Sequence, residues 1–386
     1  MRKNTNDNYK KQLTIHIVTS TVLVLVLTSL LVLGVNLMKS NKSLSIVGII
    51  VSSILILLLT AALIIGINIS NKGGFSMKNG FSIGGLTGFS GDNGYSTDAL
   101  PEDLSGVSEI NIGWACGRVD IKCTDTSGFD IFEEGTTDKY KLCWKLDGEK
   151  LSLRYCKSLP LFAIDLPDKT LNVTLPASIE LDKVKVSNAS AKVCIDGVTA
   201  NEIKIDTASG GSEVKRCTAD MIEIDSASGK TIVSDCKATK LSIDSASGST
   251  DVTNTSADTI DIESASGSKT LTGCSCTKLK TDSASGSLKY DGSAEEIECD
   301  SAAGSITLTL DNRAKSIDVN SASGSTKVYL PSDAGFDAKI SAASGKIKCD
   351  FADAKLGDKY AFRTGAYEVK IEVSCASGSL TIAPKG

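Results

Sequence analysis

One histidine occurs in the 386 residues, His16, and it lies inside an apolar run. That scarcity excludes Ser-His-Asp and Cys-His catalysis, the Cys₂His₂ zinc finger and most histidine-based metal sites, since each needs imidazole as base or ligand. Aromatic residues make up only 5% of the chain, which suits a narrow interior filled by aliphatic side chains. Positive charge is short where a nucleic-acid binder would need it, because residues 81–386 carry 33 Lys and Arg against 45 Asp and Glu. Affinity for nucleic acid rests largely on Lys and Arg neutralising phosphates, so an acidic body argues against that class of partner. No GxxxxGK[ST] phosphate loop is present in the glycine-rich stretch.

Charge is missing altogether from two apolar runs, 13–38 and 44–69, separated by the polar stretch Lys39–Ser43. About 20 helical residues cross a bilayer, and each run exceeds that. The pattern predicts two transmembrane α-helices in an integral membrane protein, after a short amino-terminal segment, 1–12. A secretory signal would show an apolar region of only about 7–15 residues and a small-residue cleavage site, and no such site follows. Arg2, Lys3, Lys10, Lys11, Lys72 and Lys78 flank the pair on one side, whereas the connecting loop has Lys39 and Lys42. The positive-inside rule therefore favours both ends, and the carboxy-terminal body, in the cytoplasm. From 70 to 106 the composition turns to Gly and Ser, with Gly-Phe-Ser at 74–76, 80–82 and 88–90, and reads as a flexible linker.

The dominant signal is a repeat. The tetrad [TS]-A-S-G ends at Gly210, Gly229, Gly248, Gly267 and Gly286, each 19 residues after the last, with variants at Gly304, Gly324, Gly345 and Gly378. Asn188–Ala191 precedes Gly210 by the same interval, and Trp114–Gly117 is an early degenerate copy. Apolar residues stand seven and five positions before each glycine (Ile203/Ile205, Ile222/Ile224, Leu241/Ile243, Ile260/Ile262, Ile317/Val319) and four after it (Val214, Val233, Val252, Leu271, Tyr290, Leu308, Val328). Such period-2 alternation of β-branched residues predicts short half-buried strands. A 19-residue unit cannot bury its own apolar side, whereas stacking units as coils about 4.8 Å apart does so. The prediction is an all-β body, a parallel β-solenoid over 107–386, with an irregular start at 107–186, regular repeats at 187–350 and carboxy-terminal coils at 351–386. Residues 107–186 and 351–374, which lack the repeat, are suited to cap the ends against open-edge pairing. Ala recurs two positions before the glycine, as at Ala208, Ala227, Ala246 and Ala265, and the glycine itself suits a corner needing positive φ or close backbone approach.

Stacking turns a repeated residue into a row. Four positions before the glycines stand Asp206, Asp225, Asp244, Glu263, Asp282 and Asp300. Full charges about 4.8 Å apart repel by roughly 0.9 kcal/mol in water and more near protein, so something must offset them. One reading has each Asp capping its own turn by accepting a backbone N–H, with nearby Lys diluting the charge. Another has the row as oxygen ligands for Ca²⁺ or another hard cation. A third makes two of them the carboxylates of a polysaccharide-cleaving site, but an active site needs one coil to differ from the rest. Twelve cysteines all follow residue 115. Only Cys217 and Cys236 fall at the same repeat position in adjacent coils, within disulfide reach. Most of the others sit on the apolar phase of strands as small buried hydrophobes.

The motifs Leu171–Pro176 (LNVTLP), the iterated I-x-I-x-S-A-S-G-x-x-x-V and the closing 365–382 resemble the bacterial putative-adhesin family of β-strand-repeat proteins, domain of unknown function 4097. The resemblance covers about 107–386 and brings no catalytic residues with it. It implies an outward-facing, membrane-anchored body, opposite to the charge count. The expected function is non-enzymatic: an adhesin-like or scaffold module of the bacterial cell envelope that binds a protein or envelope glycan, with self-association as a further use of a rod. A cytoplasm-facing scaffold resembling the polymerising β-helical cytoskeletal proteins is the alternative.

Overall fold

The computed structural model describes residues 94–386 except 159–165, 313, 353, 357–360 and 365–367. Their strands, numbered in chain order, run from β1 (Glu109–Trp114) to β23 (Val369–Pro384). In the regular region each coil has a long and a short arm. The long arms are β9 (Thr199–Thr207), β11 (Thr218–Ser228), β13 (Lys237–Ser247) and β15 (Ser256–Ser266), and the short arms are β10 (Ser212–Lys215), β12 (Thr231–Ser234) and β14 (Thr250–Thr253). Pairing is parallel and offset by one repeat, with Ile222 opposite Leu241, Asp225 opposite Asp244 and Val233 opposite Val252. The expected apolar positions are the core: Ile203, Ile205, Val214, Ile222, Ile224, Val233, Leu241, Ile243, Val252, Ile260, Ile262 and Leu271 are fully buried.

The tetrad is a corner held by backbone. Gly229, Gly248, Gly267 and Gly286 have φ between 110° and 135°, and a side chain on any of them would overlap the carbonyl oxygen of the glycine one coil before. The serine before each glycine ties the coils together: Ser228 Oγ donates to the Ala208 carbonyl at 3.4 Å, Ser247 to Ala227 at 3.3 Å and Ser285 to Ala265 at 3.4 Å. The alanines that offer these carbonyls point outward, with Ala246 and Ala265 exposed, so their methyls do not close the corner.

A second corner, six positions after the glycine, is built on left-handed backbone at Gly197, Arg216, Asp235, Asn254 and Gly273, with φ from 48° to 71°.

Successive coils stack in chain order only in the middle. At one end, β1 lies between β5 (Lys150–Arg154) and β7 (Glu180–Asn188), while β2 (Gly117–Thr124) lies between β6 (Lys169–Pro176) and β8 (Lys192–Asp196). The chain leaves its first coil, builds the outermost one, and steps back over the first. Outside it, β3 (Asp130–Glu134) and β4 (Cys143–Asp147) run antiparallel to β6 and β5. The other end repeats the device: β23 inserts between β19 (Ser316–Leu330) and β20 (Phe336–Cys349), so that Gly378 stacks on Gly324 and Gly345 on Gly378. There β21 (Lys355–Leu356) and β22 (Ala361–Thr364) add antiparallel strands beyond the first residues of β20. Each strand nearest a chain end thereby gains partners on both sides, so neither is itself an edge of the stack. The capping strands fall within 107–186 and 351–374.

The expectation of two α-helices ahead of the solenoid is corrected: the described residues ahead of it, 94–106, hold none. Among the described residues the helical element is a three-residue 3-10 turn, Asp138–Tyr140, and no helix is long and apolar enough to cross a membrane. The alternating Ile, Val, Thr and Ser of the body favour strand throughout. The runs at 13–38 and 44–69 lie outside the described residues. Residues 94–106, at the end of the Gly/Ser-rich stretch, pack on the first end of the stack: Ser96 bridges to Trp144, and Leu104 is buried.

Candidate functional site: the carboxylate row and an alanine-floored groove

The long arms place Asp206, Asp225, Asp244, Glu263, Asp282 and Asp300 in one column, each opposite the next. The carboxylates do not cap their own turns. In the first tetrad Thr207 Oγ1 accepts the Gly210 N–H at 3.1 Å instead. Asp206 pairs with Lys185 at 2.9 Å, Asp225 with Lys204 at 3.1 Å, Glu263 with Lys280 at 3.6 Å and Asp282 with Lys280 at 2.7 Å, while Asp300 accepts from the Asn320 amide at 2.9 Å. Lys204 also reaches Glu223 at 2.7 Å. Burial works against the Lys204 charge, but the hydrogen bond to Glu223 and the two neighbouring aspartates hold its pKa above the ordinary lysine value. Repulsion along the row is therefore offset by lysines inserted between coils.

Asp244 is the exception, with no ion-pair or hydrogen-bond partner among the described residues. Burial first, then Glu263 and Asp225 on either side, push its pKa up to about 7. No three His, Cys, Asp or Glu side chains among the described residues are placed to hold one metal ion.

A groove of about 410 Å³ opens at the start of the long arms. Its floor is Leu181, Ala200, Ala219 and Ala238, the last three only 5–8% exposed. Thr199, Thr218 and Lys237 flank the floor on one side of each coil, and Asn201, Asp220 and Thr239 on the other. Small side chains recurring every coil leave a channel along the stacking direction, and alternation in the strand sends the residues before and after each alanine out to its rims. The recurrence of Ala200, Ala219, Ala238 and Ala257 at the repeat interval is the sequence signal for this groove.

Also unanticipated is Lys169, fully buried in the end coil. Its Nζ lies 2.6 Å from Glu133 Oε2, donates to the Tyr155 carbonyl at 2.6 Å, and sits 4.2 Å and 4.8 Å from the Tyr155 and Trp114 rings. Burial lowers its pKa and the Glu133 hydrogen bond opposes that shift. All twelve cysteines are free thiols. Cys217, Cys236 and Cys274 are buried, and their thiols donate to carbonyls of their own and neighbouring coils, such as Cys236 Sγ to Ser234 at 3.2 Å.

Comparison with known proteins follows the repeat. A family model described as Toastrack DUF4097 matches residues 118–269 and again 257–383, the overlap falling where one coil can stand for the next. A solved structure described as a putative cell adhesion protein from Clostridium sporogenes ATCC 15579 shares 9% identity over 73% of this chain and 96% of its own, with a TM-score of 0.21, too low to bear on fold or function. The search of curated proteins returns no match. The family model covers more than half of the chain, on the residues that build the coils, and the chain therefore belongs to the Toastrack DUF4097 family.

Proposed function

We propose that this protein is a non-enzymatic binding module of the cell envelope, which seats an extended polar chain, an envelope glycan, in the alanine-floored groove. The carrying observation is the groove itself: a shallow channel across successive coils, floored by small side chains and rimmed by hydroxyl, amide and carboxylate groups. Hydroxyls and carboxylates recurring at the coil spacing suit hydrogen bonding to a repetitive polyol, and an unbranched chain can run along the channel. The carboxylate row supports this non-catalytic reading, since five of its six members are engaged in structural pairs. An attachment to the bilayer rests on the two uncharged runs at 13–38 and 44–69.

Full-chain protein would be mixed with purified envelope glycan and sedimented. Ala219→Arg alone fills the channel and should abolish co-sedimentation, with a melting curve taken alongside to separate loss of the groove from loss of the fold. Retention equal to wild type would remove the groove from the mechanism. Release of reducing ends from the glycan, lost in Asp244→Asn/Glu263→Gln, would replace binding with catalysis. Trypsin cleavage at Lys72 and Lys78 in intact against lysed cells reads which side of the membrane carries the body.

A further inference from the structure

One rim of the alanine-floored groove alternates from coil to coil. Leu181, Ala200, Ala219, Ala238, Ala257 and Cys276 stack in register along the floor. The residues that follow them are Asp182, Asn201, Asp220, Thr239, Asp258 and Thr277. A carboxylate therefore stands on every second coil, with a neutral amide or hydroxyl between.

These carboxylates are exposed and not neutralised. Asp182 accepts from the Asn201 amide at 3.0 Å, and Asp220 and Asp258 have no ion-pair or hydrogen-bond partner among the described residues. Elsewhere along the stack lysines meet the acids: Lys183 lies 2.7 Å from Glu202, Lys240 3.7 Å from Asp261 and Lys278 2.7 Å from Glu298. Among the described residues lining the groove, Glu180, Asp220 and Asp258 face a single base, Lys237.

Two coils span about 9.6 Å. The row from Asp206 to Asp300 carries carboxylates at half that spacing and offsets them with lysines set between coils. On the groove rim the carboxylates stand apart instead and keep their charge for a ligand. In a β-1,4-linked hexosamine chain successive sugars face opposite ways, so a given group returns to the same side once per disaccharide, a length of about two coils. Ammonium groups on alternate sugars would reach Asp182, Asp220 and Asp258 in turn. The sugars between them would meet Asn201 and Thr239.

We propose that the occupant of the groove is a cationic glycan, a β-1,4-linked hexosamine chain in which alternate sugars carry a free amino group. This rests on the groove being the glycan site and adds the charge and the period of what it holds. A fully N-acetylated chain would cover Asp220 and Asp258 without giving either a counter-charge, and that desolvation weakens its binding.

The test is fluorescence anisotropy of two labelled β-1,4-linked hexasaccharides with the full chain in mild detergent, at about pH 6, where exposed aspartates are ionised and the amino sugar is protonated. One probe alternates glucosamine with N-acetylglucosamine, and the other is N-acetylated throughout. Wild type should bind the first about tenfold more tightly at about 0.05 M salt, with a smaller margin at about 0.5 M. Asp220→Asn with Asp258→Asn should bring the two affinities within about twofold, with the acetylated probe bound as before. Asp125→Asn with Glu134→Gln makes the same charge change on the short-arm side and should leave the margin intact. Equal affinity of wild type for both probes, a margin that survives in the Asp220/Asp258 variant, or the same loss in both variants would overturn the proposal and leave the groove a site for neutral glycan. Binding of neither probe by protein that still sediments with envelope glycan overturns this proposal alone, whereas loss of both overturns the groove reading beneath it.

Discussion

Replacing Gly267 with alanine tests whether the tetrad corner is held by backbone contact. Its φ is 120°, and a methyl carbon there would overlap the Gly248 carbonyl oxygen while lying 2.9 Å from the carbonyl carbon and 3.3 Å from the amide nitrogen. Holding a residue with a side chain in that backbone region costs about 1–3 kcal/mol. Relief by moving the coil would stretch the Ser266 Oγ to Ala246 bond, 3.4 Å long, and neighbouring ladder bonds worth about 1 kcal/mol each. The loss should be about 3–5 kcal/mol, in the tail that single substitutions seldom reach. Gly211→Ala is the control: its methyl would meet only the Lys230 carbonyl oxygen, at 3.5 Å, without positive φ. That change should be neutral, or stabilising by up to about 1 kcal/mol through the unfolded chain. Urea denaturation of the three proteins, compared through midpoint and m-value, reads both numbers. Gly267→Ala within about 1 kcal/mol of wild type at unchanged m would refute the stacked-corner argument.

Asp244→Asn should stabilise the protein by about 1–2 kcal/mol near pH 8 after solvent screening, and by little near pH 4. The folded carboxyl titrates at about 7, above its unfolded value of 3.8, so wild-type stability falls as pH rises between the two; melting curves across that window check it. Lys269→Met should stabilise by about 1–3 kcal/mol at neutral pH, because Lys269 is 2% exposed and its ammonium has, among the described residues, Ser283 Oγ at 2.8 Å as its one partner. Burial lowers the folded pKa of Lys269 below 10.5, so the unfolded chain holds the proton more tightly, wild-type stability rises with pH, and the advantage of Met should shrink toward alkaline pH in parallel denaturations. Arg216→Gly relieves a side-chain residue at φ 50° and forfeits an exposed pair with Asp196. The balance favours glycine by roughly 0.5–1 kcal/mol, readable as a higher midpoint in urea, and a lower midpoint would show the pair to matter more than the backbone.

What could be read from the sequence is what stacking repeats in every coil. The apolar positions around the glycine and the glycine column follow from period-2 alternation and from a residue that recurs unchanged, and both are where expected. Trp114 shows how far the grammar reaches: it stands opposite Asn188, at the repeat position assigned to it. The left-handed corner escaped because Arg216 interrupts an otherwise plain series of Gly, Asp and Asn. The carboxylate row was visible as a row, but its partners were not. Lys204 and Lys280 reach across coils, and no spacing along the chain encodes which lysine falls between which carboxylates. The ends were legible only as places where the repeat stops. The insertion of β23 beside β19 depends on pairing between distant segments whose strand sequences are interchangeable by construction.

That insertion bears on how the solenoid carries load. In a simple stack the terminal repeat has one neighbour, so tension applied there peels coils off singly, each step breaking one interface. Here force entering through β23 meets a strand bonded to β19 on one side and β20 on the other. Force entering through β1 likewise meets both β5 and β7. Two parallel interfaces must open together before either strand leaves. The outermost coils gain in a second way. If β20 detaches thermally while β23 stays, the freed chain remains fixed at both ends as a closed loop and recovers less entropy than a free tail would. Interlocking the strands nearest the chain ends with coils from the chain interior thus slows both forced and spontaneous fraying. It does so with the same Ile, Ser and Gly positions used elsewhere, which is why the device costs the sequence no special residues.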